Sequence, residues 1–122
     1  MYIVKIISIK KLTHSVLEIR TEKPLAFKFI PGHSIMLSIN KPELTELKRP
    51  YNFTSANSDS YLEFIIKIYK ERNGLSVHFE KLNIRDSLIL SEMFGSYRYV
   101  EQGVFIAGGV GVAPFISIFR QL

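Results

Sequence analysis

Arg49-Pro50-Tyr51-Asn52-Phe53-Thr54-Ser55 is the stretch on which the reading of this chain turns. As a strand it sends Tyr51, Phe53 and Ser55 to one face and Asn52 and Thr54 to the other. Arg49 stands at the strand entrance, ahead of a proline that fixes φ. Such a strand offers a cation to a phosphate, a ring to a flat ligand and hydroxyls to the ligand's edge. It is also the pattern of a half-buried strand with a surface arginine. Taken alone, the seven residues favour that plainer reading.

The flanking sequence supplies more strands. Tyr2 to Ser8, Ser15 to Thr21, Ser34 to Ile39, Tyr61 to Tyr69 and Ser87 to Ser91 are short apolar or alternating runs. Turn residues separate them: Thr13-His14-Ser15, Pro24, Pro31-Gly32, the polar loop Lys41 to Lys48, Ala56 to Ser60 and Asn83 to Asp86. Met93 to Ser96 reads as a further turn, with Tyr97 to Tyr99 extending the sheet. Leu75, Phe79 and Leu82 fall at i, i+4 and i+7, which predicts one short helix over 75–82 with Asn73 as its cap. Many short strands with such punctuation predict an all-β domain, a six-stranded antiparallel barrel with the helix plugging one end.

The chain has 122 residues, 47% of them hydrophobic and 22% charged, enough for one domain with a real core. No apolar run approaches the roughly 18 residues of a membrane span. The N-terminus lacks the pattern of a signal peptide, and a cytoplasmic location is the default expectation. Absence of cysteine excludes disulfides and thiolate metal sites, and His14, His33 and His78 lack ligand spacing, so no metal is expected. The net charge of +5 favours acidic partners.

The last 20 or so residues change character. Gly103 to Ala107 reads as a buried strand, Gly108-Gly109-Val110-Gly111 as a tight turn, and Val112 to Arg120 as a helix with Pro114 in its first turn. Strand, glycine turn and helix make the first half of a βαβ unit. A lone unit of this kind cannot form a parallel sheet. The expected organisation is therefore a barrel over 1–101 and the start of a truncated α/β domain over 102–122. Three features favour anions: Arg49, the turn Gly74-Leu75-Ser76 and the glycines Gly109 and Gly111.

The order of these features resembles the ferredoxin reductase-like superfamily. Arg49 to Ser55 resembles its arginine-x-tyrosine-(serine/threonine) flavin motif. Phe29-Ile30-Pro31-Gly32-His33 resembles its proline-glycine-glutamine segment, Gly74-Leu75-Ser76 its second phosphate motif, and Phe94-Gly95 its proline-x-glycine turn. Ala107 to Pro114 resembles its glycine-rich nicotinamide-nucleotide motif. The resemblance covers nearly the whole chain. It implies a Greek-key barrel that binds FAD, followed by an NAD(P) domain. It also implies a flavin-dependent NAD(P)H oxidoreductase whose 122 residues alone are not fully active.

Residue by residue, the resemblance pairs Arg49, with Pro50 beside it, with the flavin pyrophosphate and lays Tyr51 against the isoalloxazine ring. Asn52 falls near N5, the catalytic position, where the family has serine or threonine. Thr54 and Ser55 complete the strand's polar contacts. Gly74, Leu75 and Ser76 hold the same pyrophosphate, while Gly109 and Gly111 cradle NAD(P)H. His33, Met93 and Val110 also depart from the family pattern. The implied partner is an acidic redox protein such as flavodoxin or ferredoxin, met by Lys10, Lys11, Lys67 and Lys70. Two alternatives stand beside this reading. One is an FAD-binding electron-transfer subunit without nicotinamide binding. The other is a basic nucleic-acid-binding barrel, disfavoured because Phe27, Phe29, Phe64, Phe79 and Phe105 sit in apolar patterns.

Overall fold

The computed structural model describes residues 1–71, 74–95 and 113–122. Six strands form the body: β1 (Tyr2–Thr13), β2 (Val16–Glu22), β3 (Ser34–Ile39), β4 (Arg49–Asn52), β5 (Tyr61–Lys67) and β6 (Ser87–Phe94). A four-residue helix, α1 (Ser76–Phe79), lies between β5 and β6, and α2 (Ala113–Gln121) follows β6. The strand, the glycine turn and the Tyr97 to Tyr99 extension expected between β6 and α2 lie outside the described residues. So does the cap expected at Asn73.

All described strand pairs are antiparallel, in the order β4-β3-β6-β1-β2-β5. β1 serves two neighbours in succession. Tyr2 to Lys5 pair with β6, whereas Ile6 to Thr13 pair with β2, and a register shift between Ile6 and Ser8 marks the hand-over. Such an irregularity bends a strand and increases its twist. Thr13 pairs with Val16, so His14 and Ser15 form a two-residue hairpin turn.

β4 and β5 end the strand order, yet they follow one another in the chain. They meet where the Thr54 N–H donates to the Glu63 carbonyl (2.9 Å) and the Glu63 N–H donates to Ser55 Oγ (3.1 Å). The sheet is therefore barrel-like, and its last seam is stitched by single bonds rather than by a ladder. The expected six-stranded antiparallel architecture is borne out.

Several boundaries differ from expectation. β4 stops at Asn52 instead of Ser55, because Phe53, Thr54, Ser55 and Ala56 are all buried and no longer alternate. β1 continues to Thr13, since Lys10 and Lys11 pair with Glu18 and Leu17 across the hairpin. β6 continues through Met93 and Phe94, which pair with Ile35 and Ser34 rather than turning. The helix expected over 75–82 shortens to Ser76–Phe79, although Leu75, Phe79 and Leu82 all face the core as their spacing requires.

Phe53 is fully buried at the centre of an aromatic cluster. Phe29 stacks on it at 4.1 Å between ring centroids, with Phe64 at 5.2 Å and Phe27 at 6.1 Å. The residue just past β4 thus joins the loop before β3 to the middle of β5.

Beside it lies a buried charge. Glu63 is 0% exposed, yet its carboxylate accepts from Thr54 Oγ1 (2.8 Å), Arg20 Nε (2.8 Å) and Arg120 Nη1 (2.6 Å). Burial alone would raise this carboxyl. The bonds from Thr54, Arg20 and Arg120, with the charge of Arg120, outweigh burial and hold it below the ordinary glutamate range. Such a carboxyl gives stability that is fully present above the unfolded value, ordinarily 4.5, and is lost as pH falls through the lower folded value.

Phe53→Ala is expected to cost about 3–5 kcal/mol in urea unfolding, the range for emptying a buried aromatic site. A loss below about 1 kcal/mol would show that the cluster collapses into the gap. Between about pH 7 and about pH 3 the urea midpoint should hold and then fall on the acid side, and Glu63→Gln should flatten that fall. Equal acid limbs in the two proteins would exclude Glu63 as their source.

Candidate functional site

β4 leaves the sheet with Arg49, Pro50, Tyr51 and Asn52 facing two adjoining clefts that share Pro50, Tyr51 and Tyr69. The first, of about 230 Å3, is completed by Arg49, Gly74, Leu75 and Ser76. The second, of about 200 Å3, is completed by Asn52, Ile65, Lys67 and Ala113. Residues 25 positions apart in sequence, Arg49 and Gly74, therefore meet in one depression. Phe79 of α1 packs against the Tyr51 ring, which brings the turn ahead of α1 up to β4.

Tyr51 is half-buried, with its ring edge-on to Phe79 of α1 at 5.7 Å and an interplanar angle of 86°. A ring held from behind in this way has a fixed plane to offer. Burial pushes its phenol up to about 12; the Arg49 cation opposes that shift and Tyr69 adds to it. The group is neutral at any ordinary pH. Arg49 is exposed, and its Nη1 donates to the Lys48 carbonyl at 2.7 Å. A guanidinium has five donors in a planar fork, so others remain for a ligand.

Asn52 points its amide nitrogen back at the entrance of β3. Nδ2 donates to Ser34 Oγ at 2.9 Å and makes longer contacts with the carbonyls of Gly32 (3.4 Å) and His33 (3.5 Å). The amide oxygen is then the end that a ligand would meet, and it is an acceptor. Gly32 has φ of 94°, which only glycine adopts without strain, so the Pro31-Gly32-His33 turn depends on it. The His33 ring lies against Gly95, where an added Cβ would come within 3.1 Å of Nε2. The Pro31-Gly32-His33 turn and the end of β6 thus meet beside Asn52.

Gly74 has open space where a Cβ would stand, so nothing blocks close approach of a ligand to its backbone. α1 has only four residues, so its dipole is small, and the Ser76 hydroxyl is used to accept the Tyr69 N–H at 3.0 Å. The backbone of Gly74 to Ser76 and the Arg49 side chain are what this end of the cleft can offer.

Thr54 and Ser55 are placed elsewhere. Both are 0% exposed. Their hydroxyls bond to Glu63, as donor and acceptor respectively, so they close the seam and do not line the cleft. Gly109 and Gly111 lie outside the described residues. Lys67, expected as part of a surface patch, is half-buried, donates to Ser15 Oγ at 3.1 Å and lines the cleft. Ile65 and Tyr69 were missed altogether. Strand alternation could have found them, because Ile65, Lys67 and Tyr69 share the face opposite Phe64, Ile66 and Ile68. Lys10, Lys11 and Lys70 are exposed as expected.

Among the described residues the lining carries two cations, Arg49 and Lys67, and two phenols, with no carboxylate. That chemistry suits an anionic ligand with a flat aromatic part. Among the described residues no helix is long and apolar enough to cross a membrane.

A family model described as an FAD-binding domain matches residues 1–101. NADH-cytochrome b5 reductase 1 of Kluyveromyces lactis is 35% identical over 95 residues, covering 73% of this chain and 32% of that protein. The reductase component of propane 2-monooxygenase from Rhodococcus jostii is 26% identical, covering 97% of this chain and 33% of that protein. The ferredoxin-NADP+ reductase of Plasmodium falciparum, solved with 2'P-AMP, superposes with a TM-score of 0.80 at 25% identity. That match covers 97% of this chain and 51% of that one. The chain spans about a third of the length of the curated relatives it matches.

Proposed function

This chain belongs to the FAD-binding domain family, and from that premise we propose that it is the flavin-holding part of an oxidoreductase passing electrons between NAD(P)H and a small redox protein. The observation that carries the reading is the meeting of Arg49, Tyr51 and Gly74 around one depression, with Lys67 and Tyr69 adjoining. FAD needs a cation for its pyrophosphate, a ring for its isoalloxazine and backbone that can be closely approached. Arg49, Tyr51 and the Gly74 backbone are groups of these three kinds, which supports the reading.

The roles follow from the chemistry of each group. Arg49 takes the pyrophosphate through the free part of its fork, and the backbone at Gly74, Leu75 and Ser76 approaches it from the other side. Tyr51, neutral and backed by Phe79, presents a ring face, with Pro50 fixing the chain just before it. Lys67 adds a second positive charge in the adjoining cleft. Asn52 offers its amide oxygen where the flavin motif it resembles has serine or threonine, which makes it an acceptor at the position assigned to N5. When bound, FAD supplies the exchange between two-electron and one-electron chemistry, and the protein contributes binding and orientation.

Residues 102–122 are read as the opening of an NAD(P) domain, with Gly109 and Gly111 at its phosphate turn. Use of NADP, a cytoplasmic setting and an acidic partner of the flavodoxin or ferredoxin type complete the proposal. The net charge of +5 and the exposed Lys10, Lys11 and Lys70 support such a partner.

Titration of the chain with FAD is expected to give saturable binding and a yellow protein; a chain that takes up no flavin would overturn the reading. Arg49→Ala should weaken binding by about tenfold or more, the effect of losing one charge-assisted contact, with the far-ultraviolet circular dichroism unchanged. Equal affinity in the two proteins would reject the role given to Arg49.

A further inference from the structure

α2 touches the barrel at its two ends in different ways. Its first residue, Ala113, is buried and walls the cleft beside Tyr51 and Asn52. Its later turns are tied to the segment that leaves β4. Ser117 Oγ donates to the Ser55 carbonyl at 2.7 Å, and Arg120 Nη1 donates to the Thr54 carbonyl at 2.9 Å and to Glu63 Oε1 at 2.6 Å. Gln121 Oε1 accepts the Asn57 N–H at 2.9 Å. Three side chains of one helix thus bond to four residues, Thr54, Ser55 and Asn57 just beyond Asn52 and Glu63 across the seam on β5.

We propose that Arg120 and Ser117 are positioning residues: they clamp α2 to the β4–β5 seam and so fix the wall that Ala113 gives the flavin cleft. The inference rests on the flavin reading of that cleft. Ala113 cannot hold this position itself, since its side chain is a single methyl group and Pro114 has no N–H to donate. A helix is stiff, and Ala113 and Arg120 are about 10 Å apart along its axis at 1.5 Å per residue. The wall therefore moves whenever the far end tilts. The clamp engages the main chain of Thr54 and Ser55, two and three residues after Asn52. Helix and flavin strand are thereby held in one frame.

Glu63 makes the clamp separable from the fold. Its Oε2 accepts from Arg20 and its Oε1 also accepts from Thr54. Removal of Arg120 leaves the carboxylate paired on the barrel side, so the seam keeps its buried charge satisfied. Arg120 is 41% exposed at its side chain, and its loss opens no cavity in the core.

The test uses the chain loaded with FAD, followed by iodide quenching of flavin fluorescence and by visible circular dichroism of the bound flavin. Arg120→Ala is expected to keep FAD within about threefold of the unaltered affinity but to raise the quenching constant about twofold or more, because an unclamped helix opens locally. Arg120→Lys should restore most of the protection. A role confined to stability would lower the melting temperature and leave quenching well below it unchanged. Should Arg120→Ala fail to fold, Ser117→Ala, which removes one hydroxyl, is read the same way. Unaltered quenching and dichroism in a variant that binds FAD would overturn the clamp alone. Absence of FAD binding by the unaltered chain would overturn the flavin reading, and the clamp with it.

Discussion

A carboxylate sealed from water is the constraint on which this structure depends. Glu63 sits at the one place where the sheet has no ladder, between β4 and β5. An unpaired charge there would cost several kcal/mol. Its neighbours serve that need: Thr54 turns its hydroxyl inward and Arg20 reaches across from β2, and Arg120 adds a third donor from α2. The Arg20 guanidinium is further held over the Tyr61 ring at 4.3 Å. Three parts of the chain, β2, the exit of β4 and α2, are registered against one side chain of β5. A purely apolar residue at this position would pack, but it would carry no information about which partner belongs where.

The cleft follows from the same arrangement. Because β4 ends at Asn52 and the chain dives into the seam, the strand's last residues are left at a rim rather than in a continuous sheet. Phe53 pins the chain from inside, stacked on Phe29, while Tyr51 is propped from behind by Phe79. One short stretch thus passes directly from site, at Arg49 to Asn52, to core, at Phe53 to Ala56, and the site inherits the rigidity of the core. Preorganisation of this kind lowers the entropy cost of binding a large cofactor.

Much of this was legible in the sequence. β3 has the predicted limits, Ser34 to Ile39, because its apolar run is bounded by Pro31-Gly32 and a polar loop. Arg49, Tyr51 and Asn52 all line the clefts, although strand alternation sends Tyr51 and Asn52 to opposite faces. Thr54 and Ser55 were misread for a physical reason. Alternation describes a strand, and the strand had already ended; their partners lie nine residues away on β5 and more than 60 residues away on α2. Glu63 was invisible for a related reason. In the run Tyr61 to Lys67 a glutamate reads as the exposed member of an alternating strand, and only the tertiary pairing with Arg20 and Arg120 permits its burial. Lys67 carries the opposite lesson, since a lysine beside apolar residues reads as solvated until Ser15 is seen to hold it.

The divided loyalty of β1 bears on how the chain reaches this state. Its second half pairs with β2 across a two-residue turn, a contact that can form within microseconds. Its first half has to wait for β6, as Tyr2 pairs with Leu90 and Lys5 with Ser87. On a ribosome this strand would therefore emerge with Val4, buried in the folded barrel, still bare and half its hydrogen-bonding edge unmatched until nearly the whole barrel had been synthesised. Non-local pairing of this kind slows folding and leaves a sticky edge exposed in the interval. Lys5, Lys10 and Lys11 along that strand supply like charges that keep two such nascent edges apart.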